Sequence, residues 1–322
     1  MAGFDWPLVK PRARVIIDND FAGDRDDMIQ TAHHLMSPSV DVRFLIASHL
    51  PAGDIWDPST SQAANAERLL NELLDVMGLK TRCTVHRGAE LALQDPAVAH
   101  DTAAARAIIA EARRDDTRLR LYFAAGAGLT DLASALLIDP TIAHKMTLVW
   151  IGGPEYPELA TEPPRRDDTV EYNLSIDVKA AQVVFDSDIA IWQVPRDAYR
   201  QLIMSYAELL NSVAPHGRLG RYLRDAIEGV MKAARSFGYD LGETYVMGDS
   251  PLVTLTALQS SFQPDPSSSR YRVLPRPSIR DDGRYGPNLL KRPPIRVYTA
   301  IDARLTFSDF FAKLALWAQQ ES

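Results

Sequence analysis

Cysteine is nearly absent: Cys83 stands alone in 322 residues. One thiol can build neither an internal disulfide framework nor a thiolate metal cage, so a disulfide scaffold is excluded and a reducing, cytoplasmic setting is expected. Long apolar runs are missing too. No stretch approaches the ~18 residues that suggest a membrane span, and residues 1–10 lack the charged segment followed by an apolar one that marks a secretory leader. Positive charge is in deficit, since 35 Lys and Arg against 42 Asp and Glu give a formal net charge of −7. With no basic stripe to neutralise a phosphate backbone, nucleic acid is not an expected partner. Internal repeats and low-complexity tracts are likewise missing.

What is present is apolar material, 46% of residues, enough to fill a sizeable core. Short β-branched runs alternate with longer amphipathic stretches, the pattern of crossover helices covering a largely parallel sheet. Strands are expected at 15–17, 42–47, 119–124, 146–151 and 189–194, and helices at 26–36, 61–77, 102–113, 130–137 and 177–185. Leu69, Leu70, Leu73, Leu74 and Met77 share one helical face and are assigned to the core. Segments 263–269 and 275–294 are rich in Pro, Ser, Gly and charge, which predicts surface loops before a last strand at 295–301 and a closing helix near 307–317. No clear boundary divides the chain. The expected architecture is α/β: a single large domain, residues 1–322, with a mostly parallel, open sheet flanked by helices.

The most informative stretch, Asp18-Asn19-Asp20-Phe21-Ala22-Gly23-Asp24-Arg25-Asp26-Asp27, follows the apolar run 15–17 and holds five aspartates. Open α/β sheets bind ligands beyond the carboxyl ends of their strands, and this segment is the first such strand-to-helix turn. Helix capping accounts for part of it, with Asp24 as the cap and Asp26 and Asp27 against the dipole, each contributing about 0.5 to 1 kcal/mol. It does not account for Asp18 and Asp20. Two residues apart on an extended strand end, these are expected to project to one side, toward the carboxylates at the helix start. Converging carboxylates raise each other's pKa unless a cation joins them, and hard oxygen ligands in a crowded site suit Ca²⁺.

A strand followed by D-x-D also opens the haloacid dehalogenase phosphatases. Gly248-Asp249-Ser250 resembles the start of that family's later Gly-Asp-x-x-x-Asp motif for Mg²⁺, but position 253 is Val253. The second metal ligand is lost, and Asp26 and Asp27 stay unexplained.

With these residues in place, the sequence resembles the inosine-uridine nucleoside hydrolase family, whose members begin with a strand and D-x-D-P-G-x-D-D. Asp18-Asn19-Asp20 and Asp26-Asp27 match the acidic ends. Phe21-Ala22-Gly23-Asp24-Arg25 replaces the Pro-Gly element and adds two residues, as in a divergent branch. Three further segments match in order. Ala125-Gly126-Ala127-Gly128-Leu129-Thr130-Asp131-Leu132-Ala133 resembles a Gly-rich turn in which a backbone carbonyl, at Gly126 here, joins the metal shell; a tight turn alone also needs small residues. Glu171-Tyr172-Asn173, with Asp177 and Ala180-Ala181, resembles E-F-N-x-x-x-D-x-x-A-A. The resemblance assigns Glu171 and Asn173 to ribose hydroxyls, and a carboxylate and an amide suit such donors and acceptors. Gly248-Asp249-Ser250-Pro251-Leu252 resembles H-D-P-L, with Asp249 closing the metal shell.

The residue before that aspartate is a histidine in many relatives, where it protonates the departing base. Here it is Gly248, and Tyr245 is the candidate substitute. His49, just past the strand at 42–47, is a candidate for lining the pocket. His33 and His34 are helix neighbours that do not face one site. The resemblance implies Ca²⁺ held by Asp20, one or more of Asp24, Asp26 and Asp27, the Gly126 carbonyl and Asp249. It makes Asp20 the general base for a water below the anomeric carbon, with Asp26 also a candidate sugar contact. A nucleoside or related riboside is the expected substrate, and a homodimer or homotetramer the expected assembly. Two other readings stand beside it: a protein that keeps the Ca²⁺ and ribose pocket without catalysis, and the Mg²⁺ phosphatase.

Overall fold

The computed structural model describes residues 4–160, 169–260 and 268–320; the part of the expected loop at 263–267 lies outside them. The β-branched runs become β1 (Ala13–Asn19), β2 (Val40–Ala47), β3 (Val85–Arg87), β4 (Arg120–Ala125), β5 (Met146–Ile151) and β6 (Ala190–Val194). Further along come β7 (Ile203–Ser205), β8 (Thr244–Val246), β9 (Arg270–Leu274), β10 (Pro277–Ile279), β11 (Tyr285–Asn288) and β12 (Ile295–Ala300). Eight strands form one sheet in the order β3-β2-β1-β4-β5-β6-β12-β9. All its pairings are parallel except that of β9 with β12. The pairs β7/β8 and β10/β11 are separate two-stranded ribbons.

Strand alternation decides the layers. Val15 and Ile17 face one core and Ile16 the other. Against the first face pack the helices Asp26–Leu35, Gln62–Val76, Gly217–Ser236 and Ala303–Gln320; against the second pack Ala103–Ala112, Thr130–Ile138 and Val178–Phe185. The expected leucine stripe holds: Leu70, Leu73 and Leu74 are fully buried, each contributing about 1.5–3 kcal/mol, while Leu69 sits at the margin. No helix among the described residues is long and apolar enough to cross a membrane.

Two regions differ from the sequence expectation. Residues 275–294 are not simply surface loop, because β10 and β11 pair there and Arg276 is fully buried. Its guanidinium donates to the carbonyls of Phe185, Ser187 and Ile189 at 3.4, 2.8 and 2.6 Å, filling acceptors left open where a helix stops. The helix Gly217–Ser236 has no counterpart among the expected elements, although Leu219, Leu223, Ile227 and Val230 are buried at helical spacing. Gly217, Gly220 and Gly229 interrupt that signal with poor helix formers.

The chain runs from β1 outward to β2 and β3, then crosses to β4 on the other side of β1. The strand order therefore reverses between β1 and β4, and a crevice opens at their carboxyl ends.

Candidate active site

A cavity of about 230 Å³ lies in that crevice, sized for a small ligand rather than a polymer. Asp20 and Asp24 reach it from the turn after β1, and Asp26 from the first turn of the helix that follows. Gly126 enters just past β4, and Glu171, Tyr172 and Asn173 from the start of the helix Tyr172–Ile176. Gly248 and Asp249 approach from the turn before the helix Pro251–Thr256. The sequence motifs thus meet on one wall. Trp56, Tyr199 and Arg200 share that wall but belong to no motif. Their only signal is position, beyond the carboxyl ends of β2 and β6, the same rule that nominated the acidic turn.

The capping explanation for the acidic turn fails for Asp24. Arg25 is the N-cap of Asp26–Leu35, and no side chain closes the cap. Asp26 instead accepts the backbone N–H of Asp249 at 2.9 Å, a contact between residues 223 positions apart. Burial, followed by repulsion from neighbouring aspartates, pushes the carboxyl groups of Asp20, Asp26 and Asp249 well above the usual carboxylate range. Asp27 is raised chiefly by burial, and neither of its side-chain oxygens has a hydrogen-bond partner.

Among the described residues, no three acidic, imidazole or thiol side chains close on a common point as a finished ligand set; the acids wall the cavity instead. Their chemistry still fits a hard cation. A buried carboxylate without a partner costs several kcal/mol, and the available donors are oxygens throughout, as Ca²⁺ requires.

Gly126 is fixed from both sides. Its N–H donates to the Asp18 carbonyl and to Asn19 Oδ1, each at 3.0 Å. A methyl group on its α-carbon would overlap the Asp249 carboxylate, so this approach requires glycine. Gly126→Ala is expected to push Asp249 off the wall and to weaken Ca²⁺ binding roughly 10- to 100-fold, as loss of ligand orientation does in metal sites generally. Calorimetric titration of the metal-free variant checks this; unchanged affinity would detach Asp249 from the cation.

From Asn19 a buried chain of hydrogen bonds continues in one direction. Asn19 Nδ2 donates to Gln30 Oε1 at 2.8 Å, Gln30 Nε2 pairs with His34 Nδ1, and His34 Nε2 pairs with Thr256 Oγ1 at 2.7 Å. Because the Thr256 hydroxyl donates to the Leu252 carbonyl at 2.6 Å, His34 Nε2 must carry the proton and Nδ1 must accept. His34 is neutral, its pKa driven well below the usual value by burial. This chain ties the Gly126 turn, the helix bearing Asp26 and Asp27, and the helix after Asp249 into one unit. His34 thus positions the wall without facing the cavity, and His33 turns separately to Asp309 at 2.7 Å.

Several sequence-named residues are placed otherwise than expected. Asp18 is off the cavity wall: its carboxylate accepts from Ser48 and faces Asp131. The strand ends at Asn19, so two-residue alternation no longer relates Asp18 to Asp20. His49 does not line the cavity either. Its Nε2 meets Thr130 Oγ1 at 3.0 Å and its Nδ1 meets the Leu50 carbonyl at 2.9 Å, which occupies both ring nitrogens. Tyr245 is half-buried and is not among the described residues lining the cavity. Burial and the adjoining Asp24 and Asp26 hold its phenol well above the ordinary value, making it a weaker acid.

Glu171 already has four protein donors. Oε2 accepts from Gly153 N and Leu174 N at 2.6 and 3.0 Å, and Oε1 from Asn173 N and the Tyr199 hydroxyl at 3.2 and 2.8 Å. It caps the short helix while lining the cavity. Asn173 donates Nδ2 to the Ile151 carbonyl at 2.8 Å, and its amide oxygen has no protein partner among the described residues.

Residues 15–305 match the family described as inosine-uridine preferring nucleoside hydrolase. No curated protein matches the chain. Among solved structures, the chain is similar to a plant nucleoside hydrolase, the PpNRh1 enzyme, at 19% identity and TM-score 0.72, covering 95% of this chain and 99% of that one. It is similar to a purine-preferring ribonucleoside hydrolase from Gardnerella vaginalis at 17% identity and TM-score 0.73, with the same coverage of 95% and 99%. A type III effector protein, XopQ, complexed with adenosine diphosphate ribose, shares the fold at 15% identity and TM-score 0.56, covering 97% and 92%.

Proposed function

The chain belongs to the inosine-uridine preferring nucleoside hydrolase family, and we propose that it cleaves the N-glycosidic bond of a nucleoside or related N-riboside in a Ca²⁺-dependent reaction. Asp20, one or more of Asp24, Asp26 and Asp27, the Gly126 carbonyl and Asp249 would hold the ion. One observation supports this reading above others: Asp20, Asp26 and Asp249, distant in sequence, are buried together at the switch-point cavity, and the carboxylate of Asp27, off the cavity lining but beside them, has no hydrogen-bond partner.

When bound, the cation supplies acidification and orientation of the attacking water. Asp20 takes a proton as the water oxygen bonds to the anomeric carbon, and the electron pair of the C–N bond leaves with the base. Asn173 offers its free amide oxygen to a sugar hydroxyl. Glu171, clamped by four donors, adds a fixed negative charge facing the sugar as the ring flattens toward an oxocarbenium ion. A cytoplasmic homodimer or homotetramer completes the reading, and sedimentation of the purified protein checks the assembly.

Nucleoside hydrolysis and p-nitrophenyl phosphate hydrolysis, each measured with and without EDTA, test the proposal against its rivals. The expected result is riboside cleavage that EDTA abolishes and added Ca²⁺ restores, with no phosphate release. Phosphate release would favour the Mg²⁺ phosphatase. Ca²⁺-dependent nucleoside binding with no turnover would favour the non-catalytic protein, a reading kept in view by the effector structure on the same fold.

A further inference from the structure

Among the described residues lining the cavity, Arg200 alone is cationic, on a wall that also carries Asp20, Asp24, Asp26, Glu171 and Asp249. Yet its guanidinium makes no ion pair or side-chain hydrogen bond with any described residue. Arg196, one turn earlier, shows the contrast. It is buried and bidentate on Glu155, with both bonds at 2.6 Å. Arg200 is exposed, and its planar fork of donors is open to a ligand from solvent.

Its place along the cavity follows from its neighbour. Arg200 follows Tyr199, whose hydroxyl donates to Glu171 at 2.8 Å, and it lines the same cavity as Glu171 and Asn173. An acidic wall repels anionic ligands, and one unpaired guanidinium on that wall can reverse the preference locally.

We propose that Arg200 reads an oxyanion on the sugar side of the substrate, and that the substrate class is an N-riboside carrying a 5′-phosphate. This rests on the N-riboside reading above. On such a sugar the anomeric carbon bears the base and the ring faces the Asn173 amide and the Glu171 charge, which leaves the exocyclic C5′ arm to carry the charge outward to Arg200. Bidentate guanidinium–phosphate pairing matches the fork geometry. Water supplies the proton and hydroxyl, and the products are the free base and ribose 5-phosphate.

The test compares inosine 5′-monophosphate, inosine and orotidine as substrates of the Ca²⁺-loaded wild type, Arg200→Ala and Arg200→Lys. Calorimetric titration of each protein with ribose 5-phosphate and with ribose runs alongside. The wild type should prefer the monophosphate in kcat/KM. Arg200→Ala should lower kcat/KM for the monophosphate about 10- to 100-fold more than for inosine, mainly through KM, with Arg200→Lys between the two. Equal losses on both substrates, or a wild type that cleaves inosine and rejects the monophosphate, would overturn the proposal. A selective loss on orotidine would overturn it as well, by moving the anion to the base. If no riboside is cleaved, the hydrolase reading falls, and the titrations still decide Arg200: a preference for ribose 5-phosphate over ribose that Arg200→Ala erases supports it, and no such preference refutes it.

Discussion

Asp20→Asn is expected to lower turnover by on the order of 10²- to 10⁴-fold, the contribution typical of a positioned general base, while the fold persists. The side chain is buried on the cavity wall, 7% exposed. Without metal, burial first, then repulsion from Asp27 and Asp24, lifts its pKa well above the ordinary carboxylate value; a bound cation offsets that repulsion and leaves a carboxylate able to take the water's proton. The amide of asparagine keeps the volume and one oxygen donor, so some Ca²⁺ affinity should remain. It has no basic site for the proton. Removing one of several mutually repelling carboxylates should also let the metal-free variant melt no lower than the metal-free wild type. The measurements are kcat at saturating Ca²⁺, calorimetric Ca²⁺ titration and thermal melting with EDTA. Wild-type turnover in Asp20→Asn would remove Asp20 from the mechanism. A lower melting temperature without metal would mean that its charge is compensated by a partner the cavity does not show.

The sheet was legible because its signal is local. Residues 146–151 were expected as a strand and form β5 with the same bounds, and the other main-sheet runs shift by one or two residues. β3 escaped because three residues, Val85-His86-Arg87, carry no periodicity, and their pairing with Leu45–Ala47 of β2 is a tertiary fact. The site divides along the same line. Asp20, Asp24, Asp26, Gly126, Glu171, Asn173 and Asp249 stand in short motifs and meet at one cavity. His49 had the right address past β2, but Thr130, 81 residues away, takes its ring. Tyr199 and Arg200 could have been nominated by the rule that favours segments beyond strand ends, but that rule selects every such loop and does not rank them. The Asn19–Gln30–His34–Thr256 chain was invisible, since its links join residues up to 222 positions apart that no motif relates.

The cavity's missing proton donor sets the second large effect: p-nitrophenyl riboside should be cleaved about 10²- to 10⁴-fold faster than inosine. A purine departs readily only once protonated, whereas p-nitrophenolate leaves without a proton. No histidine is among the described residues lining the cavity; His49, His33 and His34 are all committed to partners elsewhere. The Tyr199 hydroxyl is donated to Glu171, and Tyr245, off the cavity lining, is made a weaker acid by burial and the neighbouring aspartates. Gly248→His can supply the missing group. Gly248 is not in the left-handed backbone region, and a β-carbon there meets the Tyr199 ring at 3.3 Å and Asp26 Oδ2 at 3.4 Å, tight by a few tenths of an ångström. A neighbouring carboxylate favours the protonated imidazole, so the variant should gain about tenfold or more on inosine and little on the activated riboside. If wild-type inosine cleavage already equals that of p-nitrophenyl riboside, a donor is present after all. Tyr245→Phe then decides: selective loss of inosine cleavage would make Tyr245 the acid, and no loss would place the donor elsewhere. If neither substrate is cleaved while Ca²⁺ and ribose still bind, the proposed turnover fails and the pocket is one for binding alone.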